Sequence, residues 1–381
     1  MRFNTCIITS VLPPNIKGVQ ILVDNFIEIM EPISDTIYLI AGNYYDDISE
    51  HKFNLINLKM DDKKQTIIFR IPKFMFIQLK MSYMLLKIRK KIDFTVFFIS
   101  TPFVIPLLTS KFFNKKVIMI ATGSSSKGAK QRYKSSIFGV RLIIPGILKL
   151  LERINYYFSD RIVVLSEGLM HDLDLTKYQN KIDYACATFV DTNHFSVKTD
   201  LQNRGNVIGF IGRLTETKGI MQFVQSIKLL SKNDDLSFFI GGDGHLRDKI
   251  MKELLKDDLK HSVTFKGWIS HDDLPEYLNL LKLIVVPSYT EAFPAIGLEA
   301  MACGTPVLIN SVGGVPDIIK DGENGFIMEN NSPGSIADNV QRILNRKDLE
   351  NIAKNARKSL ENDFSYENII KKYENVVKNC Y

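Results

Sequence analysis

The stretch SYTEAFPAIGLEAMACGTPV (288–307) places two glutamates, Glu291 and Glu299, eight positions apart. Glu291 lies just past the apolar run LIVVPS, at the carboxyl end of an expected strand. Glu299 falls one to two turns into an otherwise apolar helix. The first N–H groups of that helix have no intrahelical partner, and the helix dipole favours negative charge beside them. A diphosphate is the natural ligand for such a helix end. Carboxylates nearby would repel its oxygens but accept hydrogen bonds from sugar hydroxyls. A ligand with hydroxyls on both sides of a diphosphate satisfies all three features, and a nucleotide diphosphate sugar has that form.

A pair of cations points the same way. GRLTETKG (212–219) closes the apolar run NVIGFIG, with Arg213 directly after the expected strand and Lys218 beside Gly219 at a helix start. Ligands of open α/β sheets bind beyond the carboxyl ends of the strands. There the guanidinium offers a fork for phosphate oxygens and the ammonium a point charge. Gly241, Gly242 and Gly244 in GGDGH suit a tight turn close to a ligand.

Such residues need a regular scaffold. A chain of 381 residues exceeds one ordinary core, and two domains of roughly 150–200 residues are expected. Its 45% hydrophobic and 24% charged content is that of a globular protein. From 206 onward, apolar runs of strand length (NVIGFIG, LSFFIGG, VTFKGWI, LIVVPS, PVLIN) alternate with helical segments. One helix carries Ile220, Phe223, Val224 and Ile227 on one face. This alternation predicts a parallel sheet covered on both sides. The first half repeats the theme with TCIITS, DTIYLIAG, TIIFRI, FTVFFIS, KVIMIAT and RIVVLS, and a helix from about Val19. The expected organisation is an N-terminal domain over 1–190, a polar linker over 191–205 and a C-terminal domain over 206–365. A last helix over 366–381 is expected to pack back toward the N-terminal domain.

Taken in order, GRLTETKG, GGDGHLR and Glu291-x7-Glu299 with AMACGTPV and VGGVPDIIKDGENGF resemble the donor-site signatures of retaining glycosyltransferases of the GT-B fold, most similar to family 4. The resemblance spans most of 206–370. It implies two Rossmann-like domains facing across a cleft, the N-terminal one binding the acceptor. It further implies that Glu291 contacts the donor hexose near the reacting centre and that Glu299 holds the ribose hydroxyls. Arg213 and Lys218 would neutralise the diphosphate, with Gly212 and Gly242 in the donor loops. Backbone N–H groups of Phe293, Ala295 and Ile296 would line phosphate and sugar, whereas Pro294 in the same turn has none to give. Gly18 in PPNIKGVQ keeps one glycine of the family's paired-glycine loop, with Lys17 in place of the other. The implied chemistry is retaining transfer of a hexosyl unit to an acceptor hydroxyl, in polysaccharide or lipid-linked glycan synthesis, with no cofactor and no metal. A sugar-nucleotide epimerase and a non-catalytic nucleotide-sugar binder are the alternatives.

Other signals carry less. ATGSSSKGAK (121–130) nearly spells a phosphate-binding P-loop, but Ala129 interrupts the motif and Gln131 replaces its magnesium-binding hydroxyl. Asp172 and Asp174 stand two apart in a probable helix, where they would not share a face. TFVDTNHF (188–195) replaces the Asn-Gly of a common NGVD motif, so contacts of that asparagine are not transferable. The six histidines are scattered, and the four cysteines form no CxxC or Cys/His cluster, as expected of free thiols in a reducing compartment.

The net charge of +7 is unevenly spread, because 63–153 holds 19 Lys/Arg against two acidic residues, Asp93 and Glu152. On one stripe of PKFMFIQLKMSYMLLKIRKK (72–91) lie Phe74, Ile77, Met81, Met84 and Ile88, a core face. Lys73, Lys80 and Lys87 fall on another. YKSSIFGVRLIIPGILKLL (133–151) mixes cations with apolar residues. An anionic membrane surface is the expected partner of this half, alongside a nucleotide sugar donor and a glycan or lipid-linked acceptor. No nucleic-acid reader motif is present. The expected location is cytoplasmic, on the inner face of the cell membrane.

Overall fold

The computed structural model describes residues 2–11, 17–44, 53–58, 67–98, 102–133, 138–231, 235–256, 259, 262–289 and 295–381. The chain divides into two compact units, Met1–Phe189 with Glu367–Tyr381, and Val190–Tyr366.

In chain order the first unit runs β1 (Phe3–Val11), α1 (Lys17–Met30), β2 (Ser34–Gly42), β3 (Asn54–Leu58), α2 (Ile67–Ile88), β4 (Phe94–Phe98), α3 (Val104–Phe112), β5 (Lys116–Ala121), α4 (Ser125–Arg132), α5 (Phe138–Phe158), β6 (Arg161–Val164), α6 (Glu167–Asp172) and β7 (Ile182–Tyr184). Its seven strands form one sheet in the order β3-β2-β1-β4-β5-β6-β7, parallel throughout. Strands such as FTVFF in β4 are buried along their whole length, as helices on both faces require. TIIFRI, expected as a strand, is not one: Ile67–Ile71 form the first turns of α2. A short apolar run looks the same in a strand and in a buried helix, and periodicity cannot separate them.

The second unit runs β8 (Val207–Ile211), α7 (Ile220–Leu230), β9 (Ser237–Gly241), α8 (Arg247–Lys256), β10 (Val263–Gly267), α9 (Leu274–Leu280), β11 (Leu283–Val286), α10 (Ala295–Ala302), β12 (Val307–Asn310), α11 (Val315–Ile318), β13 (Phe326–Met328), α12 (Pro333–Leu344) and α13 (Leu349–Asp363); α14 (Tyr366–Lys378) ends the chain. The six strands are again parallel, in the order β10-β9-β8-β11-β12-β13. Both units are doubly wound α/β layers, as the alternation predicts. Ile220, Phe223, Val224 and Ile227 of α7 are all buried in the core of the second unit. Residues 191–205 lie within this unit, and Phe195, Leu201 and Arg204 are buried there. α14 packs on the first unit, where Tyr373 meets Phe26 edge-on at 5.3 Å and Tyr381 stacks on Phe3 at 5.2 Å.

The last carbonyls of α10 are fully accounted for. Gly304 takes a left-handed φ of 66°, its N–H bonds Met301 O, and Thr305 N–H bonds Ala300 O at 2.9 Å, a Schellman closure. Arg357 donates to Ala302 O, and buried Arg204 donates to Cys303 O at 2.7 Å. The Arg204 guanidinium also reaches Leu278 O and Leu281 O at the end of α9, Thr199 O, Thr305 Oγ1 and Asn279 Oδ1. Among these partners there is no carboxylate; carbonyl dipoles offset the buried charge, the favourable sign at helix C-termini. Burial pulls the Arg204 pKa down to about 10, so the group stays charged at neutral pH. Replacing Arg204 by Met strips these acceptors of their donor. The expected loss is on the order of 3 kcal/mol, a fall of roughly 6–12 °C in melting temperature by calorimetry. An unchanged transition would remove Arg204 from this role.

Candidate functional site

Strand order in the second unit reverses between β8 and β11, and ligands of doubly wound folds bind beyond the carboxyl ends at such a switch point. The loops after β8 (212–219), β9 (242–246) and β10 (268–273), and the described residues 287–289 after β11, leave that edge. Three of them are tied together by backbone. Leu214 N–H bonds Asp243 O at 2.9 Å, Gly242 N–H bonds Gly267 O at 2.6 Å, and Tyr289 N–H bonds Thr217 O at 2.9 Å.

Two glycines make this packing possible. Gly242 has φ 119° and a Cβ there would strike the carbonyl oxygen of Gly212. Gly219 has φ 68° and a Cβ there would strike Pro287 O. Only glycine takes these angles and this closeness without strain. The first contact brings together two glycines singled out in the sequence, Gly212 and Gly242. The second joins the loop bearing Arg213 and Lys218 to the one leading into α10.

Arg213 is exposed and stands directly after Gly212 at the end of β8; Lys218 is half-buried at the end of the 3₁₀ turn Glu216–Lys218. Ala295 and Ile296 form the first turn of α10. Glu299, one turn later, keeps only 15% of its side chain exposed. Glu291, Phe293 and Pro294 lie outside the described residues. Gly18 lies in the first turn of α1, in the other unit.

A histidine that no motif in the sequence marks also stands at this edge. His271 Nε2 stands 3.2 Å from Glu299 Oε1. Its signal was position, four residues past the end of β10, rather than spacing to another ligand-type residue. The hydrogen bond to Glu299 raises the His271 pKa above the ordinary value, against a lowering by burial. His194 stacks beside it, ring centroids 5.9 Å apart at 26°.

In the first unit, the near-P-loop ends at a helix whose N-terminal groups are already engaged. Glu152 of α5 accepts from Ser126 N–H at 3.1 Å and from Ser126 Oγ at 2.8 Å, and Ser124 Oγ donates to the same carboxylate. The seat a phosphate would take holds the protein's own carboxylate. Asp174 pairs with Lys149 at 3.1 Å, while Asp172 accepts from Lys127 through its carbonyl. Asp174 has left the helix, with φ 58°, so these aspartates share no helical face.

The outer faces of α2 and α5 carry unusual apolar exposure. The α2 stripe expected as core is core: Ile77, Met81 and Ile88 are buried, with Phe74 and Met84 packed against them. A second stripe, Phe76, Leu79 and Tyr83, is exposed, and Lys87 lies over the Tyr83 ring at 4.6 Å. On α5, Leu142, Ile143, Ile147 and Leu150 are each at least 50% exposed. α3 packs against both helices and exposes Phe112 at 80%. No described helix is long and apolar enough to cross a membrane.

Comparison with known proteins adds family context. Residues 191–359 match the model of the family described as glycosyl transferases group 1. An uncharacterized glycosyltransferase of Methanocaldococcus jannaschii is 34% identical over 186 residues, covering 49% of this chain and 48% of that protein. The capsular polysaccharide biosynthesis glycosyltransferase CapM of Staphylococcus aureus is 28% identical over 247 residues, covering 60% and 64%. The chain thus spans about half the length of the first relative and under two thirds of the second. Among solved structures, Anabaena HepE in complex with UDP superposes with a TM-score of 0.73 at 16% identity, over 99% of this chain and 100% of that one. A Rickettsia africae glycosyltransferase gives 0.72 at 17%, over 100% and 98%. At such identities the likeness speaks for the fold. The chain has the two-domain, Rossmann-like GT-B fold, and its second unit matches the glycosyl transferases group 1 family.

Proposed function

We propose that this protein is a retaining glycosyltransferase that moves a hexosyl unit from a nucleotide diphosphate sugar to an acceptor hydroxyl, in the synthesis of a cell-surface polysaccharide or lipid-linked glycan. One observation carries the reading. Two cations on the loop after β8, and the N-terminus of α10 with a shielded carboxylate one turn in, follow the two strands at one switch point, inside the segment that matches the family. Arg213 and Lys218 with the first turn of α10 would hold the diphosphate, and Glu299 would accept from the ribose diol. The hexose role implied for Glu291 by resemblance completes the assignment.

In this reading the bond from the anomeric carbon to the diphosphate oxygen breaks as the acceptor oxygen bonds to the same face. The departing diphosphate takes the acceptor proton. Charge developing on the leaving oxygen is met by groups already in place, the largest lever available to such a site. Arg213→Ala and Lys218→Ala should each lower kcat/KM about 10- to 100-fold, the value of one charge-assisted contact, while Glu299→Ala mainly raises the donor KM. Near-native kinetics in the double variant would sink the assignment. NMR of the product's anomeric proton should show retention. Activity should persist in excess EDTA, since side-chain cations serve the diphosphate; a loss restored by magnesium would contradict this.

In the same proposal the acceptor lies at an anionic bilayer. The two acidic residues of the basic segment are both used internally: Glu152 as above, and Asp93 accepting from Asn4 N–H at 2.7 Å. The exposed stripes of α2 and α5 therefore present cations among apolar side chains, the composition of interfacial helices. Each lysine near an anionic surface contributes ~1 kcal/mol. Co-sedimentation with anionic vesicles should be strong at low salt and weak near 1 M, where the Debye length is ~3 Å. Charge reversal at Lys80, Lys87 and Lys90 should reduce it while nucleotide binding is retained. Equal, negligible binding to neutral and anionic vesicles would reject the membrane.

A further inference from the structure

Glu299 comes with a partner that the donor-site reading leaves unused. His271 is set in place from three sides. Gly267, with φ 78°, turns the chain out of β10, and its carbonyl is fixed by Gly242 N–H. Ser270 Oγ donates to Asp273 Oδ2 at 2.6 Å, and Asp273 N–H returns to Ser270 Oγ at 3.1 Å, closing the turn into α9. The imidazole then lies between the Glu299 carboxylate and the His194 ring, with the Phe195 ring against it at 5.1 Å. His194 in turn stands with Nε2 3.2 Å from the His271 carbonyl.

A carboxylate beside a diphosphate carries two burdens: its charge repels the phosphates, and its plane must match a sugar diol. A protonated imidazole on Oε1 offsets the first and fixes the second. A carboxylate has about four acceptor sites, so a hydrogen bond from His271 leaves room for ribose hydroxyls. We propose that His271 is a positioning residue of the donor site, holding Glu299 for a sugar diol and offsetting its charge, with His194 and Phe195 seating the ring. This rests on the donor-site reading and adds to it a dependence on pH.

The groups facing His271 set the sign. Glu299 from α10, Asp272 from its own loop and Asp191 from the segment before β8 all favour the protonated ring, and burial opposes it. His194 from that same segment is the other titratable group at the ring. Arg357 is engaged with the carbonyls of Thr192, Phe195 and Ala302. Because the folded pKa is raised, the pairing is present at low pH and is lost as pH climbs through the titration of His271.

The test is donor affinity against pH, from 5.5 to 8.5, with UDP-glucose, GDP-mannose and ADP-glucose as probes. Their diphosphates are esterified at both ends and do not titrate across this range. Trp268, the chain's one tryptophan, is 72% exposed and three residues from His271, which makes intrinsic fluorescence a local readout beside calorimetry. For whichever probe binds, the wild-type Kd should rise about tenfold across the range, the value of one charge-assisted contact. His271→Ala should bind weakly and without slope. His271→Gln, which donates without a charge, should be intermediate and also without slope. If the wild type and both variants show the same slope, or none, His271 has no such role while the donor site stands. If no probe binds at any pH, the donor-site reading falls, and this proposal with it.

Discussion

The second unit depends on how one short helix disposes of its charges. α10 has eight residues and a mostly apolar surface, so solvent cannot satisfy its buried end. A glycine closure takes the carbonyls of Ala300 and Met301, and two arginines from distant parts of the chain take those of Ala302 and Cys303. The same Arg204 guanidinium grips the end of α9, the helix that follows the His271 loop. The C-terminal ends of both helices are therefore fixed from behind, and both helices start on the carboxyl side of the sheet. Cations at the rear leave the front end of α10 as the pole where an anion is favoured.

The first unit solves a different charge problem. A surplus of 17 cations over residues 63–153 would strain any fold that buried it. Of its two acidic residues Glu152 is buried and Asp93 is exposed but hydrogen-bonded, while Lys87, Lys90, Arg141 and Lys149 face outward. Glu152 closes the start of α4, and Asp93 anchors the start of β1. The segment's exposed charge is then mostly positive, which favours long-range attraction to an anionic surface.

Much of this was legible in the residues. Alternating apolar runs gave the doubly wound units, since strands buried on both faces read as unbroken apolar stretches. Arg213, Lys218 and Glu299 were legible because they follow strand ends, where chain direction alone sets their position. TIIFRI was misread because a run of six residues, four of them apolar, fits either period. β3 and β7 escaped notice because they are short and only partly buried. His271 was invisible because its partner lies 28 positions away and meets it only through the fold. Arg204 was unreadable for a related reason: its acceptors are backbone carbonyls, which leave no mark on side-chain spacing. The second apolar stripe of α2 was written in the sequence, but beside a core stripe it looked like more core.

α14 gives the chain an order of assembly. The first unit takes its strands from residues before the second unit but closes its core with α14, which follows it. Tyr373 against Phe26, Tyr381 against Phe3 and Asn379 on Asp183 are all contacts between residues made earlier than the second unit and residues made after it. The second unit, Val190–Tyr366, is continuous. On a ribosome that emits the chain from its beginning, the continuous unit can be complete while the earlier one still lacks its last helix. Until α14 is made, the first unit lacks the cover that Tyr373 and Tyr381 give to Phe26 and Phe3.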